Sequence, residues 1–99
     1  MLKVIITESP DSKKRYRIYF IKEYTYIDIG SSMYENYTIH NDKERKRLYL
    51  LRHNKNEDWN DVYSKGFWAR WLLWNETTLK KSIKYIQNKF KIKIVLIDK

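Results

Sequence analysis

Short apolar segments in the first third of the chain have the alternation of β-strands. In the second of these segments Tyr16, Ile18 and Phe20 fall on one side of an extended chain. Pro10 lies in a polar turn before this segment, and Gly30 ends the third. Two consecutive antiparallel hairpins are therefore predicted. Their strands are residues 2–7, 15–21 and 24–29.

Helical spacing begins near the middle of the chain. Asn41 and Glu44 have the spacing of a capping box, so Asn41 is predicted to cap a first helix. Leu48 and Leu51 are predicted to line its buried side. The preceding residues, 31–39, are expected to form an ordered loop.

Two more helices and a last strand are predicted in the C-terminal half. Residues 66–75 (GFWARWLLWN) are apolar around nearly a whole helical circumference, which favours a short helix buried on most sides. A third helix follows Thr77 or Thr78, because apolar residues recur at helical spacing. Residues 92–97 read as a strand that is apolar on both faces, which suits a central or covered position. The stripe of the third helix is Leu79, Ile83, Ile86 and Phe90.

These elements predict a single α+β domain over residues 1–99. It has a small antiparallel sheet of about four strands, two N-terminal hairpins plus a C-terminal strand, with three helices packed on one face. A chain of 99 residues can bury one core. The absence of cysteine excludes disulfides and thiolate metal sites. We also expect a soluble intracellular protein without membrane contact, because the apolar N-terminal segment is too short for a signal peptide and no apolar run approaches the ~20 residues of a membrane span.

Charge indicates a polyanionic partner. The chain has 21 basic and 12 acidic residues, a net charge of +9. Nucleic acid, DNA or RNA, is the predicted partner, bound with an affinity that falls with salt. An ordinary solvated lysine face, or the composition bias of an AT-rich genome, accounts for the same residues. The predicted contacts are Arg45, Arg47, Arg52, Lys80, Lys81 and Lys84.

Aromatic residues allow two further interpretations. The Trp-rich segment 66–75 supplies either the core or the anchors of a protein interface, for which Trp68, Arg70, Trp71 and Trp74 are the candidates. Tyrosines of the strands form either a stacking platform for bases or ordinary strand positions on a half-exposed face. These tyrosines are Tyr16, Tyr19, Tyr24 and Tyr26.

Catalysis is not indicated. His40 and His53 lie near several carboxylates, but their spacing matches no metal-ligand motif and no nucleophile–base pair. Glycine-rich phosphate loops are also absent from the sequence. We therefore expect a protein that is not an enzyme and that needs no metal or cofactor.

Three segments together resemble a family of small uncharacterised proteins of large nucleocytoplasmic DNA viruses, including algal and giant viruses. They are YTIHNDKER at residues 37–45, YLLRHNKNEDW at residues 49–59 and GFWARWLLWN at residues 66–75. The resemblance covers about residues 14–87, and the family more often has Asp in place of Asn36 and Lys in place of Asn41. It implies a setting in the host cytoplasm or viral factory, or in the virion, and it implies no activity.

The sequence thus predicts a small basic viral accessory protein that binds nucleic acid. The alternative is a minor virion or capsid protein that binds other viral structural proteins through its Trp-rich segment. No feature of the sequence indicates an oligomeric state.

Overall fold

The computed structural model describes residues 1–97 and has an α+β fold built on a four-stranded sheet. Its strands are β1 (Lys3–Glu8), β2 (Lys14–Phe20), β3 (Thr25–Ser31) and β4 (Lys93–Leu96). They lie in the order β3-β2-β1-β4. β2 is antiparallel to both β1 and β3, which confirms the two hairpins, whereas β4 is parallel to β1.

Helical segments follow the third strand. They are α1 (Tyr37–His40), α2 (Lys43–His53), α3 (Lys65–Trp68) and α4 (Leu79–Phe90), and α3 continues directly into a π-helical segment, Ala69–Leu73. α1 lies where a loop was expected. The side chain of Asn36 caps α1 by accepting a hydrogen bond from the backbone N–H of Thr38 (3.0 Å).

One face of the sheet is covered by helices. Strand alternation places Val4, Ile6 and Ile18 on this face, and all three are fully buried. Ile86 of α4 is buried against the same core, and the rest of the predicted apolar stripe of α4 packs around it. The other helical contributors to the core are Phe67, Trp68, Leu72 and Leu73.

The π-helical segment matches the spacing of the largest core side chains. The backbone N–H of Trp74 donates to the carbonyl of Ala69, five residues earlier (3.1 Å). Phe67 and Leu72 are also five residues apart and are both buried. In an α-helix such residues point about 140° apart, so the wider turn is what brings both toward the sheet. No residue from 66 to 75 is exposed, which confirms the predicted burial.

The start of α2 differs from the prediction. Asp42, rather than Asn41, caps this helix, because its carboxylate accepts hydrogen bonds from the backbone N–H groups of Glu44 (3.0 Å) and Arg45 (3.2 Å). Asn41 instead ends α1 in the left-handed conformation, with its own N–H bonded to the carbonyl of Tyr37. The predicted cap is therefore wrong by one residue.

The buried side of α2 also differs from the prediction. Leu48 and Leu51 are exposed, and Tyr49 is the buried residue. The ring of Tyr49 lies between those of Trp74 and His53, at centroid distances of 4.3 and 4.1 Å. Stacking on the Trp-rich segment thus decides which side of α2 faces inward, and the leucines face solvent.

β4 lies at the edge of the sheet. The prediction of a central or well-covered position for residues 92–97 is wrong. Ile94 is buried on the helical side, but Val95 is 46% exposed on the other. β4 follows α4, which returns the chain across the sheet, and this crossover makes β4 parallel to β1.

Two leucine substitutions distinguish the observed core from the predicted one. Leu72 is fully buried, so we expect Leu72→Ala to lower the free energy of unfolding by about 2–5 kcal/mol. Leu51→Ala is the matched control and should change it by less than about 0.5 kcal/mol, because the side chain is exposed. Urea unfolding followed by tryptophan fluorescence measures both. Equal losses would contradict this packing of α2.

Candidate nucleic-acid interface

Positive charge accumulates at the start of α4. Thr78 caps the helix by accepting a hydrogen bond from the backbone N–H of Lys81 (3.2 Å), and the first turn contains no acidic residue. Lys80, Lys81 and Lys84 are exposed, and no carboxylate within residues 1–97 forms an ion pair with them. Since a helix N-terminus is itself positive, the charge here is unbalanced.

The start of α2 lies beside the start of α4. The side-chain amide of Asn41 donates to the carbonyl of Thr77 (2.9 Å), and the Nζ of Lys46 donates to the carbonyl of Asn75 (2.7 Å). Both carbonyls belong to the segment that leads into α4. Burial lowers the pKa of Lys46, and the neighbouring charge of Arg70 lowers it further.

The three predicted arginines of α2 are all exposed but are not equivalent. Arg45 lies in the first turn, at the end of the molecule where α4 also begins. The guanidinium of Arg47 is bonded to the carboxylate of Glu44 (Nε–Oε2 3.0 Å), which neutralises part of its charge. Arg52 lies near the other end of the helix, in a pocket that Tyr34 also lines. Arg45 therefore joins the lysines of α4, and Arg52 stands apart.

The Trp-rich segment belongs mainly to the core. Trp68 is fully buried, and its Nε1–H donates to the carbonyl of Val62 (2.7 Å), so it has no surface left for a partner. Trp71 and Trp74 are half-buried. The Nε1–H of Trp71 donates to the carbonyl of Trp59 (2.9 Å). Of the predicted interface anchors, only parts of Trp71, Trp74 and Arg70 reach the surface.

Arg70, the one charge in the Trp-rich segment, is held by that segment. Its Nη1 donates to the carbonyl of Trp74 (3.1 Å), and its guanidinium lies 4.2 Å from the ring centroid of Trp71 and 5.4 Å from that of Trp59. Burial lowers the pKa of Arg70. The Nε atom is buried and has no hydrogen-bond partner in the part of the chain that the structure describes. The guanidinium of Arg70 thus contacts one carbonyl oxygen and two indole rings.

The two histidines have different neighbours. The Nδ1 of His40 accepts a hydrogen bond from the backbone N–H of Asp42 (2.9 Å), which requires the neutral ring with its proton on Nε2. Burial lowers the pKa of His40, and the charge of Arg45 adds to this effect. The Nδ1 of His53 instead lies 2.7 Å from the Oε2 of Glu57. The ring of His40 is thus hydrogen-bonded to the backbone at the start of α2, and the ring of His53 contacts a carboxylate in the loop that follows α2.

Within residues 1–97, no cluster of three or more His, Asp or Glu side chains is arranged so that it could hold a metal ion. Over the same residues, no helix is long and apolar enough to cross a membrane.

The second face of the sheet is open to solvent, and we refer to it as the open face. The strand registers place Val95, Ile5, Tyr19 and Tyr26 in one row across all four strands. Tyr26 is 53% exposed and Tyr19 is 36% exposed. Their ring centroids lie 5.9 Å apart, with an interplanar angle of 56°. This row is the centre of the open face.

An ion pair lies next to that row. The guanidinium of Arg17 forms two hydrogen bonds to the carboxylate of Asp28 (2.8 and 2.9 Å) and lies 3.8 Å from the ring centroid of Tyr26. The hydrogen bond from Arg17 lowers the pKa of Asp28 and raises that of Arg17. On the other side of the row, Lys3 and Lys93 are paired in register and exposed.

Sequence reasoning gave the exposed lysines and the tyrosines of the strands, but it missed three features of the surface. The Arg17–Asp28 pair, Lys46 and the stack around Tyr49 all depend on contacts between distant segments. Only the Arg17–Asp28 pair could have been predicted from the sequence, because its two residues lie on adjacent strands of a predicted hairpin, where side chains form cross-strand pairs.

Comparison with known proteins gives one match. Residues 4–53 match the model of a family of unknown function (DUF5754), which covers half of the chain. The match includes the sheet hairpins and α2, and it ends before the Trp-rich segment. No curated protein and no solved structure matches the chain.

The environment of His40 predicts its titration. Because the folded protein favours the neutral ring, we expect His40 to titrate below 6.5 and to carry its proton on Nε2. The unfolded chain then binds the proton more readily, so His40 lowers stability as the pH falls below its unfolded pKa. Two-dimensional ¹H–¹⁵N spectra of the imidazole rings measure both properties, and His53→Gln assigns the signals. Titration at or above 6.5 would contradict the hydrogen bond from Asp42.

Proposed function

This chain belongs to a family of unknown function, DUF5754, and we propose that it is a small basic protein that binds nucleic acid without catalysing a reaction. The proposed contact surface is the end of the molecule where α2 and α4 begin, together with the exposed side of α4. Phosphates there would meet Arg45, Lys80, Lys81 and Lys84.

The observation that carries this proposal is the unbalanced charge of the first turn of α4. The start of α2 follows the rule for a stable helix, with Asp42 as cap and Glu44 in the first turn. The start of α4 has Lys80 and Lys81 instead, and no acid. Lysines at this position oppose the helix dipole, and departures from such local rules concentrate at functional sites. A phosphate bound there would interact favourably with both the lysines and the dipole.

The surroundings support the same ligand. Lys46 and Arg70 hold carbonyl oxygens of Asn75 and Trp74 just before α4, so two more cations lie behind the exposed lysines. Burial lowers the pKa values of both groups, because each cation is partly removed from water. The positive potential at this end of the molecule therefore has both an exposed source and a half-buried source.

The resemblance to proteins of large DNA viruses supports a further part of the proposal, that the protein is a viral accessory protein of the infected cell. The alternative, a virion protein that uses the Trp-rich segment as its interface, has less support. Trp68 is fully buried, and the half-buried indole of Trp71 already stacks on Tyr85 (5.5 Å) within the chain.

Reversing charges on α4 tests the proposed surface. We expect Lys80→Glu/Lys84→Glu to weaken binding to a labelled duplex or single strand, and to reduce the slope of log Kd against log salt by roughly two phosphate contacts. Fluorescence anisotropy over a series of salt concentrations measures both quantities.

The control for this experiment carries the same change in net charge at a different place. Lys55→Glu/Lys65→Glu alters two exposed lysines outside α4, one in the turn after α2 and one at the first position of α3. If the control variant weakened binding as much as the α4 variant, net charge rather than this surface would be responsible. If the unchanged protein bound no nucleic acid at low salt, the proposed function would be wrong.

A further inference from the structure

The open face is a large apolar surface that the proposed lysine site does not use. Val95, which belongs to the row that contains Tyr19 and Tyr26, is 46% exposed. Ile97 and Ile21, which lie next to that row, are 50% and 45% exposed. Exposed apolar side chains that adjoin one another on one face are typical of interaction sites. The depression beside Tyr19 is lined by three isoleucines, two threonines and Tyr24, which is 95% exposed.

The aromatic rings of this face are arranged for stacking. Tyr19 and Tyr26 stand on adjacent strands and are paired in register. One side of the Tyr26 ring is covered by the guanidinium of Arg17, which Asp28 fixes in place with two hydrogen bonds. The ring therefore has a defined orientation, while about half of its surface stays accessible. Planar ligands stack on such preorganised rings with little loss of conformational freedom.

The charges of the face select the class of ligand. The carboxylate of Asp28 is neutralised by Arg17, whereas Lys3 and Lys93 have no carboxylate partner within residues 1–97. The face thus combines exposed rings with free cations at one border. A second copy of the chain is a poor occupant, because two molecules of net charge +9 repel each other.

We propose that the open face binds single-stranded nucleic acid. Bases stack on Tyr19 and Tyr26, and phosphates contact Lys3 and Lys93. Single strands expose the faces of their bases, whereas a duplex keeps its bases stacked inside, so this face favours single strands. This inference depends on the proposed function in one respect, namely that nucleic acid is the ligand.

Tyrosine substitutions test the open face. We expect Tyr26→Ala and Tyr19→Ala each to weaken binding of a labelled oligothymidylate by roughly five- to 150-fold. The slope of log Kd against log salt should not change, because tyrosine contacts no phosphate through a charge. Tyr26→Phe should retain the affinity of the unchanged protein, since the stacking surface remains. Tyr34→Ala, which removes an exposed tyrosine outside this face, is the matched control and should have no effect.

The outcomes separate this inference from the proposed function. If Tyr26→Ala and Tyr19→Ala bind normally while Lys80→Glu/Lys84→Glu binds weakly, the open face is not the site and the lysine surface remains. Loss of binding in Tyr34→Ala as well would also overturn the inference.

If no oligonucleotide binds the unchanged protein, both proposals fail. If sedimentation shows a dimer that Tyr26→Ala dissociates, with no effect on oligonucleotide affinity, the face is a protein interface instead. Circular dichroism confirms that each variant is folded.

Discussion

The burial of Trp68 is the interaction on which the rest of this structure depends. One short segment, residues 67–73, covers one face of a four-stranded sheet together with α4, and Trp68 is its largest fully buried side chain. Its ring contacts Phe20 of the sheet and Phe67 of its own helix, at centroid distances of 6.5 and 5.2 Å. The hydrogen bond from its Nε1–H to Val62 satisfies the one polar atom that this burial removes from water.

α2 and α4 are both attached to this segment, and α4 also packs directly against the sheet. Trp74, at the end of the segment, stacks with Tyr49 and thereby fixes the rotation of α2. Rings of His53, Tyr49, Trp74 and His40 follow one another at centroid distances of 4.1, 4.3 and 5.3 Å, which forms a continuous aromatic column. α4 is attached at the other side, where the ring of Phe90 meets Phe67 and Trp71. All helices thus lie on one side of the sheet, and the opposite face stays open.

Local patterns predicted the parts of the fold that local forces decide. The alternation around Ile18 predicted β2 and its buried side, and the apolar stripe predicted α4 with a start after Thr77 or Thr78. The π-helical segment was not predicted, because a helical wheel assumes the α-helical turn and the wider turn results from packing against the sheet. The buried side of α2 was predicted wrongly for a related reason. The stacking of Tyr49 on Trp74 determines which side of α2 is buried, and Leu48 and Leu51 remain exposed.

In the candidate site, too, local patterns predicted some features, and contacts between distant segments decided the others. The sequence places Lys80 and Lys84 opposite the apolar stripe of α4, and both are exposed, as is Lys81. The proximity of the two helix starts could not be predicted, because it depends on a hydrogen bond between Asn41 and Thr77, 36 residues apart. The open face likewise required knowing that no helix returns to cover it.

The structure also separates the cations that hold the fold together from those that remain free. Arg17 is paired with a carboxylate, and Arg15 donates to the carbonyls of Ser31 and Tyr34 (3.1 and 2.8 Å). Lys46 and Arg70 donate to carbonyls near the end of the π-helical segment, where unsatisfied helix carbonyls attract positive charge.

The lysines of α4 have no such carboxylate or carbonyl partners within residues 1–97. A bias in composition raises the number of lysines, but it does not determine that those at the start of one helix form no ion pair within residues 1–97. The proposed site depends on this placement more than on the net charge of +9, because a cation paired with a carboxylate has less of its charge to offer a phosphate.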